Sequence, residues 1–368
     1  ANGDQSGSYW KGTQPDGTQI WFGSTTDSMQ YELVRGLVSS HPCWSSANHR
    51  CNLGFRWNVS KIVDPSGNTA TYKYLEETNY YRSQTGTNPN TYVRRPYDRV
   101  AELVSIDYGS LTSVPVGISR QRVEFRYVRR CVEALDSNND AECPTISHAN
   151  GASYPDVPVD LYCPTDTCTT PAMSYFSTKR LAFITTKILD GSTTPTGPTV
   201  LVSQWRLNHE FPDNGDGTNS KLWLSSVQRL QPGAVDPPAT PVALLPATVF
   251  GSVLLRNRED YNTSAGVPPM NLPRVAFVFD GLGQEVKVDY FQKKGCTPRP
   301  SSWALNDTNC FPQYGSFPGG PPGFGIYRQY LTQTVTVTDL VTNSFAGATG
   351  TGVAPRVVYS YDYGTNAG

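Results

Sequence analysis

The chain has 368 residues, enough for a large core, and its 30 Lys and Arg nearly balance 31 Asp and Glu, a formal net charge of −1. That balance leaves no basic field for a phosphate backbone and argues against nucleic-acid binding. No apolar run reaches the roughly 18 residues a membrane-spanning helix needs, and 32 Gly with 29 Pro, spread along the chain beside many Thr, Val and Tyr, point to all-β structure.

The opening "ANGDQSGSYW" has neither a start Met nor an apolar leader, which suggests a processed product or a piece of a longer chain. The first clear element is "WNVSKIVDPSGNTATYKYLEETNYY", 57–81. Asp64-Pro65-Ser66-Gly67 has Pro second and Gly fourth, as a type I turn prefers, and the flanks alternate as strands do. Tyr72 and Tyr74 share one face of the return strand.

The pattern then recurs: "RVAELVSIDYG" with "RQRVEFRY", "RLAFITTKILDG" with "TVLVSQWRLNHEF", "KLWLSSVQRLQPG" with "LPATVFGSVLLRN". "LPRVAFVFDGLGQEVKVDYF" is the tightest copy, and "LTQTVTVTDLVTNS" with "APRVVYSYDYG" the last. The expectation is one β-rich unit over 1–368, built of successive antiparallel hairpins in a curved sheet or shell segment with little helix. Aromatic side chains would stack in a ladder between neighbouring hairpins. The alternative is a set of unrelated hairpins, which any all-β chain yields.

Three inserts interrupt the rhythm, at 39–55, 131–176 and 295–325. They hold all eight cysteines, as the local pairs Cys43/Cys51, Cys131/Cys143, Cys163/Cys168 and Cys296/Cys310. Nearest-neighbour disulfides are the natural reading, each closing a short loop, and imply an extracellular or cell-surface location. The competing reading is metal binding, but "CPTDTC" is too widely spaced for a CxxC knuckle and no nearby His completes a tetrahedral set.

No catalytic signature stands out. There is no GxSxG elbow, "NHEFPD" lacks the second His of a zincin, and no glycine-rich loop opens a helix. Two acidic loops have calcium-type donors: Asp136, Asn138, Asp140 and Glu142 in one, Asp213, Asp216 and Asn219 in the other. Neither follows the EF-hand pattern, and solvated turns are the alternative. Trp44 and Trp303 lie in cysteine loops, where an aromatic face can stack on a sugar or roof a small core.

Taken in order, "FRWNVSKIVDPSGNTATYKYLEETNYY", "YPDVPVDLYC", "LWLSSV", "FGSVLLRNRED" and "NCFP" resemble the segment that precedes or builds the shell of large bacterial RHS/YD-repeat proteins, actinobacterial ones especially. The resemblance runs from about Gly17 to Gly364. It implies hairpins spiralling into a hollow shell, as in RHS polymorphic toxins, Tc-toxin cocoon subunits and teneurins, with the rest of a larger RHS-type chain as partner. The family's self-cleaving core and toxin tip have no counterpart in these residues, so neither activity carries over. The leading expectation is a non-catalytic structural segment of a secreted or surface protein, for shell formation or cell contact. The alternatives are a carbohydrate-binding or adhesive module that contacts cell-surface glycans through the cysteine loops and, further, an extracellular polysaccharide hydrolase with an acidic pair.

Overall fold

The fold was analysed in a computed structural model, which describes residues 7–84, 92–111, 121–165, 167, 172–189, 199–230, 245–292, 294–296, 302–315, 323–340 and 356–363. All named sheet partners are antiparallel, and helix among the described residues is limited to short 3-10 turns. The chain divides into two compact units, Ala1–Arg206 with Leu230–Ala243, and Leu207–Arg229 with Leu244–Gly368.

In the first unit, which takes the last of these strands only as far as Arg206, the sheet order is β1 (Trp10–Thr13), β2 (Gln19–Phe22), β5 (Val59–Val63), β6 (Asn68–Gln84), β7 (Tyr92–Leu111), β8 (Gln121–Arg129), β9 (Lys179–Leu189), β10 (Thr199–Glu210). The strands β3 (Met29–Arg35) and β4 (Arg50–Trp57) leave this path as a hairpin of their own, and β3 touches β7 where Glu32 faces Tyr97. In the second unit the order is β11 (Trp223–Leu230), β12 (Thr248–Arg256), β13 (Asn271–Phe279), β14 (Gln284–Phe291), β17 (Leu331–Asp339), β18 (Arg356–Ser360). A separate pair, β15 (Cys310–Gly315) and β16 (Gly323–Arg328), comes between β14 and β17 in the chain and forms a two-stranded sheet of its own.

The strands of all six hairpins read from the sequence are present. The turn that motivated the reading closes as its chemistry requires. The Asp64 N–H donates to Asn68 O (3.0 Å), Gly67 N–H donates to Asp64 O (3.0 Å), and the Asp64 carboxylate accepts from the N–H groups of Ser66 (2.9 Å) and Asn68 (2.8 Å). Gly67 takes φ 85°, the left-handed position of a three-residue hairpin loop. The turn at 280–284 repeats it: Asp280 Oδ1 accepts from the N–H groups of Leu282 and Gln284, both at 2.8 Å, and Gly283 has φ 111°.

Three features depart from expectation. First, the inserts contain strands that the sequence hid: β4 begins at Arg50 inside the first, and β15 and β16 lie largely in the third. Second, Tyr72 and Tyr74 make no ring–ring pair among the described residues; the Tyr74 hydroxyl donates to Val59 O (2.8 Å) instead. Third, the ladder across the second unit is mainly β-branched, Phe250 to Val278 to Val286 to Val337 to Val357 in successive register. Where Gly251 faces Phe277, an added Cβ would come within 2.1 Å of the ring, so the phenyl covers backbone there.

Disulfides join Cys43 to Cys51, Cys131 to Cys143 and Cys296 to Cys310; Cys163 is also bridged, and its expected partner Cys168 lies outside the described residues. The closed loops are short, with sequence separations of 8, 12 and 14, so each bridge contributes about 3 kcal/mol in the chain-entropy account. Two of them anchor small cores: Cys131 and Cys143 with Ala134, Tyr154 and Val157, and Cys296 and Cys310 with Ile326.

Thermal melts of four variants test the turn and its return strand. Gly67→Val should lower stability by about 1–3 kcal/mol through strain at positive φ, and Tyr74→Ala by about 2 kcal/mol for a half-buried ring that loses its hydrogen bond. Asp64→Ala should lower the melting temperature by freeing two N–H groups, whereas Ser66→Ala should stay within about 0.5 kcal/mol of neutral. Equal indifference of all four would contradict this account.

Candidate functional site

Charged side chains are buried beside the apolar core of the first unit, among them Asp98, Arg99, Glu102, Asp107 and Arg180. Arg122 faces Asp107 on β7 and Lys187 on β9, and its Nε lies 2.5 Å from Asp107 Oδ1. Lys73 reaches the same carboxylate at 3.4 Å, and Lys187 pairs with Glu124 at 2.6 Å. A second network is more deeply buried: Lys179 Nζ sits 2.9 Å from both Glu77 and Glu102, while Arg99 donates to Glu77 and lies over the Phe176 ring at 4.4 Å. Burial raises Glu102 above the usual carboxylate range even though Lys179 pulls against it. Burial would depress Lys179, but its hydrogen bonds to Glu77 and Glu102 prevail and hold it above its ordinary value.

A third group is purely acidic. Asp98 on β7 is 3% exposed and accepts from Tyr31 N–H (2.9 Å); Asp27 accepts from Tyr74 N–H (3.0 Å). Glu76 on β6 has a buried Oε1 with no donor, and its pKa is pushed up to about 8 by burial first, then by Asp98 and Asp27. Asp98 is raised by burial as well. Sequence reasoning missed this set because the register that brings β3, β6 and β7 together is not local; the signal was acidic residues inside alternating strands.

The acidic loop at 136–142 is tied down by its own surroundings. Asn138 is 2% exposed with φ 53°, donates through its backbone N–H to Ala134 O (3.0 Å) and accepts at its carbonyl from Arg126 (3.0 Å). Asp140 accepts from Arg129 N–H (2.5 Å), and Glu142 from the Ser137 hydroxyl (2.7 Å). Buried Arg180, which donates to Ala134 O (2.7 Å), is lowered to about 10 by burial, with Asp140 and Asp136 acting as counter-charges. Asn138, Asp140 and Glu142 line one cavity of about 530 Å³ with Arg126, Tyr127, Val128, Ser137 and Asn139; Asp136 is not among its walls.

The other acidic loop serves as a brace. Asp213 accepts from Gly215 N–H (2.9 Å). Asp216 accepts from the Thr218 N–H and hydroxyl and, at 2.6 Å, from Asn271 N–H at the start of β13. Burial works against the Asp216 charge, but these bonds outweigh it and hold the carboxyl below its ordinary value. Among the described residues, no three His, Cys, Asp or Glu side chains gather into a metal-binding group.

Trp44 and Trp303 are each 38% exposed and lie in different units. Trp44 stacks on His49 with ring centroids 4.0 Å apart, so one indole face is already covered. Trp303 opens the 3-10 turn Trp303–Leu305, which Ser302 caps by accepting from Ala304 N–H.

No family model matches the chain. No curated protein matches it either. Among solved structures it is similar to the N-terminal domain of effector protein SpvB from Salmonella typhimurium, at 14% identity and TM-score 0.30, covering 60% of each chain. It is also similar to TcdB2-TccC3 (14% identity, 78% of this chain and 13% of that one, TM-score 0.33) and to the Photorhabdus luminescens Tc holotoxin pore (15%, 88% and 15%, 0.33). The chain thus spans 60% of the first and a small fraction of the other two. Likeness at these scores assigns neither function nor partner.

Glu76 gives the site a pH signature. Its pKa is raised in the fold to about 8, so the stability it contributes is full below its unfolded value and is lost as pH rises through about 8. Glu76→Gln should therefore be neutral in melts near pH 4 and stabilising above pH 8, by about 1–2 kcal/mol after discounting for partial exposure. An equal effect at both pH values would show that Glu76 ionises normally.

Proposed function

We propose that the chain is a non-catalytic structural segment of a secreted or surface protein of the RHS/YD-repeat type, forming shell wall or cell contact as part of a larger polypeptide. The observation that supports this most is the succession of long hairpins, neighbours in sequence and mostly neighbours in the sheet, closed by the same Asp turn at 64–68 and 280–284. Such a meander produces area and curvature, and its polar side chains are largely consumed in holding strands together. The disulfides support an oxidising compartment.

A hydrolase would draw its acid pair from Glu76 and Asp98, whose carboxyls are both raised above their ordinary values, burial first. Asp98 is 3% exposed and already holds Tyr31 N–H, which supports a structural role over access to substrate.

The test uses the parent polypeptide. Ile106→Pro removes a donor from a strand that faces Tyr72 on one side and Val123 on the other, and should abolish secretion or assembly. Glu76→Gln with Asp98→Asn should leave secretion and assembly intact. Polysaccharide turnover that disappears in this double variant would replace the structural reading with the enzymatic one.

A further inference from the structure

We propose that the cavity between β8 and the Cys131–Cys143 loop is a binding site for a neutral saccharide. The inference goes beyond the structural reading and does not depend on it, since a wall segment without glycan affinity is still a wall. The cavity, about 530 Å³, has the size of a small-molecule site. Asn138 lines it, is 2% exposed, and has a side-chain Oδ1 that meets no donor. A buried amide oxygen in that state is costly unless a bound group supplies a hydrogen.

The rest of the wall selects the class of ligand. Asp140 and Glu142 offer acceptors, Asn139 and Ser137 both kinds of partner, and Arg126 donors; Tyr127 and Val128 add apolar surface. A hydroxyl donates and accepts at once, so a polyol matches this mixture. Charge argues the same way. Arg126 lines the cavity and Arg180 faces Asp136 and Asp140, which disfavours a bare cation, while Asp140 and Glu142 disfavour an anion.

The site is also organised in advance. The Arg126 guanidinium is held over Phe183 at 4.8 Å while donating to Asn138 O, and the loop is fixed by its disulfide and by fully buried Cys131 and Ala134. Little ordering remains to be lost on binding.

A glycan array of neutral, sialylated and sulfated oligosaccharides, followed by calorimetric titration of any sugar bound, tests the site. Neutral glycans should bind, and Asn138→Gly, which keeps the left-handed backbone, and Glu142→Gln should each weaken binding about tenfold or more. Trp44→Ala and Trp303→Ala should leave affinity unchanged. Glu142→Gln should melt like the parent, so it decides the matter if Asn138→Gly fails to fold. Absence of neutral-glycan binding, binding confined to acidic glycans, or loss only in the Trp variants would overturn the assignment. So would a thermal shift with calcium chloride alone that Asp140→Asn abolishes, because it would give the cavity to a cation.

Discussion

The pairing of β6 with β7 is the constraint around which the first unit is arranged. Register runs from Asn68 opposite Leu111 to Gln84 opposite Tyr92, with bulges near Thr69, Lys73 and Glu77. Those irregularities matter because a one-residue slip would exchange the two faces. They keep Glu77, Arg99 and Glu102 where Lys179 of β9 can close the network, and Asp107 where Arg122 of β8 can reach it. Replaced by apolar residues such ion pairs need not cost stability, but breaking one partner strands a buried charge. We read them as register marks more than as sources of stability.

The same economy explains where the cystines lie. The sheet path runs in chain order except where an insert leaves it, and inserts carry the bridges: between β2 and β5, between β8 and β9, and between β14 and β17. An excursion of a few dozen residues cannot bury enough apolar surface to order itself. A cystine supplies the missing constraint and often the centre of the local core, as Cys131 and Cys143 do beside Tyr154.

What could be read from the sequence follows from range. The hairpins at 59–84 and 271–291 were legible because alternation and turn chemistry are local, down to the positive φ of Gly67. The hairpin β3–β4 was not, because Gly54 and the cysteine loop break the alternation and its bulge falls between Gln30 and Tyr31. The candidate site divides in the same way. Asn138, Asp140 and Glu142 were visible as an acidic run, but the arginines that answer them, Arg126 and Arg180, come from β8 and β9, and only the fold puts those beside the loop. Trp44 was visible as an aromatic in a loop; its stacking on His49 depends on the left-handed backbone at Asn48 and His49.

These observations separate two tasks within the first unit. Much of the meander's charge is answered within the sheet: Lys73, Asp107, Arg122, Glu124 and Lys187 pair with one another across four strands, while Glu76 Oε1 is left without a donor. A surface so balanced resists wrong pairing and makes an indifferent binding face. The inserts differ because their loops are held by a bridge in place of a ladder, so side chains there are not all recruited to hold strands. Asn138 shows the consequence: its backbone is fully engaged and its side-chain oxygen is left over. Recognition in a chain of this kind is therefore sought where the cystine, and not the sheet, does the holding.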